Sequence, residues 1–121
     1  MKSVLIVEDQ ADIRELIRMT LELEEVSIEE ADNGERGLQA ARASHPDLML
    51  LDVMMPGALD GFAVCKQIKA DPDTRRMKVV LLTARSQDSD RQEGDRAGAD
   101  AYLTKPFSPR QLLGVVHGLL R

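Results

Sequence analysis

A continuous apolar run, LMLL at residues 48–51, ends at the acid Asp52. An uninterrupted apolar run of this length is typical of a β-strand that helices cover on both faces. The same pattern occurs twice more, because residues 4–7 precede Glu8 and Asp9, and residues 79–82 precede Thr83. Three buried strands that each end in polar side chains indicate a parallel sheet with polar groups gathered at one edge.

Two more strands and five helical segments complete this pattern. Strands are predicted at residues 4–7, 26–30, 48–51, 79–82 and 101–103, separated by longer segments of helical period. The second strand alternates apolar and polar residues, which places it at an edge of the sheet. The 121 residues therefore predict one α/β domain, residues 1–121, with a doubly wound five-stranded parallel sheet and helices on both faces.

Apolar side chains at three- and four-residue spacing mark the core-facing sides of the helices. The stripes are Ile13, Leu16, Ile17 and Leu21 in the first helix, Phe62, Cys65 and Ile68 in the third, and Leu112, Val115, Val116 and Leu119 in the last. Leu113 and Leu120 are predicted on a different face of the last helix. Asn33 and Ser108 are predicted to begin the second and the last helix. The fourth, Asp88–Ala97, has almost nothing apolar to bury, so it is predicted to be the least stable element.

Composition excludes several classes of function. The net charge of −5 is opposite to the basic surface that nucleic acids require, and 2% aromatic residues cannot build stacking platforms for single strands. The single cysteine, Cys65, cannot form an intrachain disulfide and is predicted to be a buried small hydrophobic residue. The apolar run at residues 4–7 is too short for a signal peptide or a membrane span. A soluble cytoplasmic protein that contacts neither membrane nor nucleic acid directly is therefore predicted.

Polar side chains follow four of the five predicted strands at the same edge of the sheet. Glu8 and Asp9 follow the first, Asp52 the third and Thr83 the fourth, and Lys105 lies shortly after the fifth. Three neighbouring carboxylates repel one another, so either their pKa values rise or a cation neutralises them. Carboxylates with room for water suit Mg²⁺, and a carboxylate beside such a cation can accept a phosphoryl group. Lys105 and Thr83 would then hold the remaining phosphoryl oxygens.

Five motifs occur in order along nearly the whole chain. They are Val7-Glu8-Asp9, Leu51-Asp52-Val53-Met54-Met55-Pro56, Asp60-Gly61, Leu82-Thr83-Ala84, and GADAYLTKPF from Gly98 to Phe107. Together they resemble the receiver domain of two-component response regulators, in particular the single-domain, chemotaxis-regulator-like receivers. The resemblance implies a flavodoxin-like sheet of order 2-1-3-4-5 and a signalling switch that phosphorylation activates in a phosphorelay.

The resemblance also implies which residues bind the phosphoryl group and the metal. Asp52 is the expected phosphoacceptor for a histidine kinase or a histidine phosphotransfer protein. Glu8, Asp9, Asp52 and the backbone carbonyl of Met54 are the expected ligands of Mg²⁺. Glu8 replaces the commoner aspartate of the acid pair, so its longer side chain is expected to reach the metal through a water.

The same resemblance implies how the switch would respond. Lys105 is expected to pair with one phosphoryl oxygen, and Thr83 to hydrogen-bond another and move toward it. Tyr102 is then expected to turn inward, and Lys105–Pro106 matches the family's cis-peptide site. The surface of the fourth helix, fifth strand and fifth helix is expected to change and to control a protein partner or form a homodimer.

Other functions fit the residues less well. A small phosphatase with an aspartate nucleophile would need a second acid two residues later, where Met54 stands. A flavodoxin-like cofactor module would need a phosphate-binding loop after the first strand, where Glu8 and Asp9 repel anions. The chain is therefore expected to catalyse only its own phosphorylation and slow autodephosphorylation. It is expected to be either a stand-alone switch or the receiver part of a larger regulator, with a loop at residues 56–61 one residue longer than the common pattern.

Overall fold

Five parallel strands form one central sheet in the computed structural model, which describes residues 1–84 and 88–121. The strands are β1 (Lys2–Val7), β2 (Val26–Ala31), β3 (Leu48–Asp52), β4 (Lys78–Thr83) and β5 (Ala101–Thr104). Their order across the sheet is β2-β1-β3-β4-β5, which confirms the predicted fold and strand order. Each strand is one or two residues longer than predicted. Backbone pairing continues past the predicted ends, into polar neighbours everywhere except in β2, where the added residue is Ala31.

Five helices connect the strands and cover both faces of the sheet. They are α1 (Ala11–Leu21), α2 (Gly34–Ser44), α3 (Gly61–Ala70), α4 (Asp88–Ala97) and α5 (Pro109–Leu120). The Asn33 side chain accepts a hydrogen bond from the Arg36 amide, and Ser108 forms a capping box with Gln111. Both residues therefore begin helices as predicted, and such caps stabilise a helix by about 1 kcal/mol. None of the helices in the described part of the chain is long and apolar enough to cross a membrane.

Alternate residues of the inner strands point into two separate hydrophobic layers. The layer beneath α2, α3 and α4 contains the strand residues Leu5, Val7, Met49, Leu51, Val79 and Leu81. The layer beneath α1 and α5 contains Val4, Ile6, Leu48, Leu50, Val80 and Leu82. The middle of the sheet is thus buried on both sides, so charged side chains are accommodated only where the strands end.

Two predictions about helix faces are wrong. Leu16, predicted to face the core, is 45% exposed, whereas Ile17 and Leu21 are fully buried. Position 16 lies about 100° around the helix from position 17, on the flank of the buried side. Leu113 and Leu120, predicted on a separate face of α5, are partly buried against the layer beneath that helix. Because α5 packs against α1 as well as against the sheet, a broader part of its surface is covered than one stripe.

Candidate functional site

The carboxyl ends of β1, β3, β4 and β5 meet at one edge of the sheet. Asp52 is the last residue of β3 and lies beside Leu82 of β4, while Thr83 is the last residue of β4. Glu8 follows β1 directly and is held in line with the strands because its amide donates a hydrogen bond to the Ala31 carbonyl, at 3.1 Å. The parallel register therefore brings together side chains that are far apart in the sequence.

Three acids form a cluster at this edge. Glu8, Asp9 and Asp52 each place a carboxylate oxygen within 4.8 Å of the others. Glu8 is fully buried and Asp52 is 3% exposed. The Oδ1 atom of Asp9 is also buried and has no hydrogen-bond partner among the residues that the structure describes. A buried carboxylate oxygen without a donor is costly unless a cation faces it, so the cluster fits a hard divalent cation such as Mg²⁺.

Lys105 reaches this cluster from the loop after β5. Its Nζ atom lies 2.6 Å from Oε1 of Glu8 and 3.2 Å from Oδ1 of Asp52. Burial lowers the pKa of the ammonium, but its contacts with Glu8 and the charge of Asp52 outweigh this, so the pKa is raised overall. Lys105 therefore stays charged and partly neutralises the acids. The Lys105–Pro106 peptide bond, the expected cis site, is cis.

Burial also changes how readily the acids ionise. It raises the pKa of Glu8 to about 7, with a further rise from Asp52 and an opposing effect of Lys105. Burial likewise raises the pKa of Asp52, while its contacts with Glu8 and Lys105 lower it in part. A protonated Glu8 can donate a hydrogen bond to an ionised Asp52, which explains why the two acids shift in a linked way. Asp52 is thus a carboxylate with few solvent contacts and one ammonium beside it.

The loop after Asp52 is held close to the site. The Met54 amide donates to Oδ1 of Asp52 at 3.3 Å, and Met54 is 65% exposed. A Cβ at Gly61 would lie 2.3 Å from the Asp52 carbonyl oxygen, so only glycine permits this approach at the start of α3. The loop at residues 56–61 is tied to α2, because the Ala58 amide donates to Oε1 of Glu35 at 3.1 Å.

Thr83 and Tyr102 both line one narrow crevice. Thr83 is 5% exposed, and the crevice has a volume of about 10 Å³. The crevice is lined by Val53, Phe62, Leu81, Thr83, Arg91, Tyr102 and Thr104. The structure thus places the two predicted switch residues near each other. The loop that is expected to shift after β4 includes residues 85–87, which lie outside the described residues.

One residue at this edge has no counterpart in the sequence predictions. Arg14, on α1, donates from its guanidinium to the Glu8 carbonyl oxygen at 2.8 Å and also lies 3.3 Å from Oε1 of Glu30. It therefore fixes the backbone between β1 and α1 that carries the acid pair. Periodicity gives no signal for it, because a charged residue on an amphipathic helix is ordinarily assigned to solvent.

Known proteins match this chain in sequence. The family model described as "Response regulator receiver domain" matches residues 4–117. The Bacillus subtilis transcriptional regulatory protein ResD is 43% identical over 118 residues, which are 98% of this chain and 48% of ResD. The Escherichia coli phosphate regulon transcriptional regulatory protein PhoB is 39% identical over 120 residues, covering 99% of this chain and 52% of PhoB. The chain therefore spans about half the length of these curated relatives.

Solved structures agree with the family match. A putative response regulator from Chloroflexus aurantiacus superimposes with a TM-score of 0.92 at 34% identity and covers 98% of this chain and 97% of its own. The Vibrio cholerae chemotaxis protein CheY4 gives a TM-score of 0.92 at 30% identity and covers 98% of each chain. The fold, the acidic edge and the sequence match agree, and the chain belongs to the receiver domain family of two-component response regulators.

Proposed function

We propose that Asp52 accepts a phosphoryl group from a histidine kinase or a histidine phosphotransfer protein and thereby switches the domain between two states. The observation that carries the proposal is the buried Asp52 carboxylate, 3.2 Å from the Lys105 ammonium, within a cluster of three acids. An oxygen of Asp52 forms the new bond to phosphorus while the bond from phosphorus to the donor breaks. The attacking oxygen is exposed to few waters, which favours transfer to the carboxylate over hydrolysis.

The neighbouring residues supply the charge that this transfer requires. Glu8, Asp9, Asp52 and the Met54 carbonyl would hold Mg²⁺, with Glu8 acting through a water, and the bound cation would neutralise charge on the transferred group. Lys105, now paired with Glu8 at 2.6 Å, would exchange part of that contact for a phosphoryl oxygen. Thr83 would donate its hydroxyl to a second oxygen. Positioning and charge neutralisation of this kind provide most of the catalysis in phosphoryl transfer.

The output of the switch would be a changed surface. Movement of Thr83 toward the phosphoryl group would leave room for Tyr102 to turn inward, which alters the face formed by α4, β5 and α5. We propose that this face binds a downstream protein or a second copy of the chain. The phosphoryl group must favour the active state by several kcal/mol, since about 5.5 kcal/mol converts a 1:99 ratio to 99:1.

We also propose that the chain does not act as an enzyme on external substrates. Met54 stands two residues after Asp52, at the position where a phosphatase with an aspartate nucleophile needs an acid. Its exposed side chain offers no proton donor. Hydrolysis of the aspartyl phosphate would therefore be slow and would set the duration of the signal.

Intact-mass measurement after incubation with a small-molecule phosphodonor tests the central claim. The wild-type protein is expected to gain one phosphoryl group with Mg²⁺ and little with EDTA. Asp52→Asn should gain none, whereas Asp60→Asn should behave as the wild type. Asp60 caps α3 by accepting from the Ala63 amide, and asparagine keeps that cap. Absence of the mass gain in the wild type, or its retention in Asp52→Asn, would overturn the proposal.

A further inference from the structure

The ring of Tyr102 rests in a notch on α4 that glycine creates. A Cβ at Gly94 would lie 2.4 Å from Cε1 of Tyr102, 2.8 Å from its hydroxyl oxygen and 3.0 Å from Cδ1 of Leu81. These distances are far shorter than ordinary contacts between carbon atoms. Gly94 therefore allows the aromatic ring to lie directly against the helix backbone, in the position that Tyr102 occupies here.

The hydroxyl of Tyr102 is bound by the same helix. It lies 2.5 Å from Oδ1 of Asp95 and 3.0 Å from the carbonyl oxygen of Arg91. The phenol has a single proton, and the shorter, charge-assisted contact to the carboxylate is the stronger one. The guanidinium of Arg91 also lies 5.9 Å from the centre of the ring, within the range of a cation–π contact. The ring, the hydroxyl and the π face are thus all held by one turn of α4.

Tyr102 also lines the narrow crevice that Thr83 lines. Its volume of about 10 Å³ cannot hold an aromatic ring. To turn inward, Tyr102 has to leave the notch at Gly94 and break its hydrogen bond to Asp95, while the lining of the crevice moves apart. Any ligand that favours the inward position therefore works against these contacts.

We infer that Asp95 is a positioning residue that holds Tyr102 against α4 and sets how strongly the phosphoryl group must act to turn Tyr102 inward. The inference deepens the proposed function and depends on it for the direction of the switch. By reciprocity, a change that weakens the Tyr102–Asp95 contact strengthens binding at Asp52. A charge-assisted hydrogen bond of this kind corresponds to about a tenfold change in such an equilibrium.

Tyrosine fluorescence tests the contact without phosphorylation. Tyr102 is the only tyrosine, and the chain has no tryptophan, so the emission reports on this residue alone. A carboxylate that accepts the phenol proton quenches emission, because the excited phenol is a stronger acid and transfers its proton. Asp95→Leu is expected to raise the emission. Glu93→Leu removes another acid of α4, and this acid pairs with Arg96 rather than with Tyr102. The substitution should therefore leave the emission unchanged. Equal emission from Asp95→Leu and the wild type would overturn the inference.

Binding of beryllofluoride, a stable mimic of the phosphoryl group, tests the effect on the switch. Asp95→Leu is expected to bind it about tenfold more tightly than the wild type, and Glu93→Leu with unchanged affinity. Asp95→Asn keeps an oxygen acceptor without the charge, so its affinity for beryllofluoride should lie between those of the wild type and Asp95→Leu. If the wild type binds no beryllofluoride, the proposed function fails. If the wild type binds it and Asp95→Leu binds it equally, the role of Asp95 fails while the proposed function stands.

Discussion

Without a divalent metal, raising the pH from 5 to 8 should destabilise this protein through Glu8. The side chain is fully buried, and burial raises its pKa from 4.5 to about 7, an effect that Asp52 increases and Lys105 partly offsets. The folded state therefore binds the proton of Glu8 more tightly than the unfolded state does. The stability that this proton contributes is fully present below pH 4.5 and is lost as the pH rises through about 7.

The size of the effect follows from the two pKa values. Folded Glu8, with a pKa of about 7, binds its proton more tightly than an ordinary carboxyl with a pKa of 4.5. The difference in free energy is about 3 kcal/mol, at about 1.4 kcal/mol for each tenfold change in proton affinity. Asp52 acts in the same direction, since burial raises its pKa as well. The proposed Mg²⁺ would bind the ionised acids, so saturating metal should abolish most of the loss, and the affinity for Mg²⁺ should rise over the same pH range.

Urea unfolding in EDTA at several pH values between 5 and 8 measures this loss as a change in the free energy of unfolding. Glu8→Gln should flatten most of the pH dependence, because glutamine has no proton to lose. Glu15→Gln replaces an exposed acid on α1 and should keep the wild-type slope. A wild-type protein equally stable at pH 5 and pH 8 in EDTA would refute the reasoning, as would a Glu8→Gln slope equal to that of the wild type.

Three further predictions concern the rest of the domain. A Cβ added at Gly114 or Gly118 within α5 would meet nothing within 4 Å, so Gly114→Ala and Gly118→Ala should each stabilise by about 0.5–1 kcal/mol; a lower urea midpoint would contradict this. A Cβ at Gly37 would lie 2.8 Å from both methyl groups of Val7, so Gly37→Ala should destabilise by about 1–3 kcal/mol in the same assay, and an unchanged midpoint would count against the packing. Burial raises the pKa of the Cys65 thiol to about 11. A disulfide reagent that reacts with thiols should therefore modify Cys65 at pH 8 only after unfolding, and rapid labelling of the folded protein would show that this thiol is accessible.

Much of the fold could be predicted from the sequence because its signal is local. A continuous apolar run that ends in a polar residue identifies a buried parallel strand, and Asn33 and Ser108 are caps whose hydrogen bonds reach only three residues along the chain. The sequence predicts the buried faces of the helices less well. The pattern of apolar residues shows that a helix is amphipathic, but how wide a face is covered depends on its neighbours. Leu16 is consequently exposed, and Leu120 is partly buried.

The candidate site likewise has some features that the sequence predicts and others that depend on packing. Which acids and which lysine stand at strand ends follows from the order of residues along the chain, and parallel strands place those ends at one edge. Three contacts follow only from how the elements pack. Lys105 pairs more closely with Glu8 than with Asp52, Arg14 donates to the Glu8 carbonyl, and Tyr102 donates to Asp95. These contacts join different elements, and their geometry depends on how helices pack on the sheet and which rotamers that packing allows. No periodicity along the chain encodes that information.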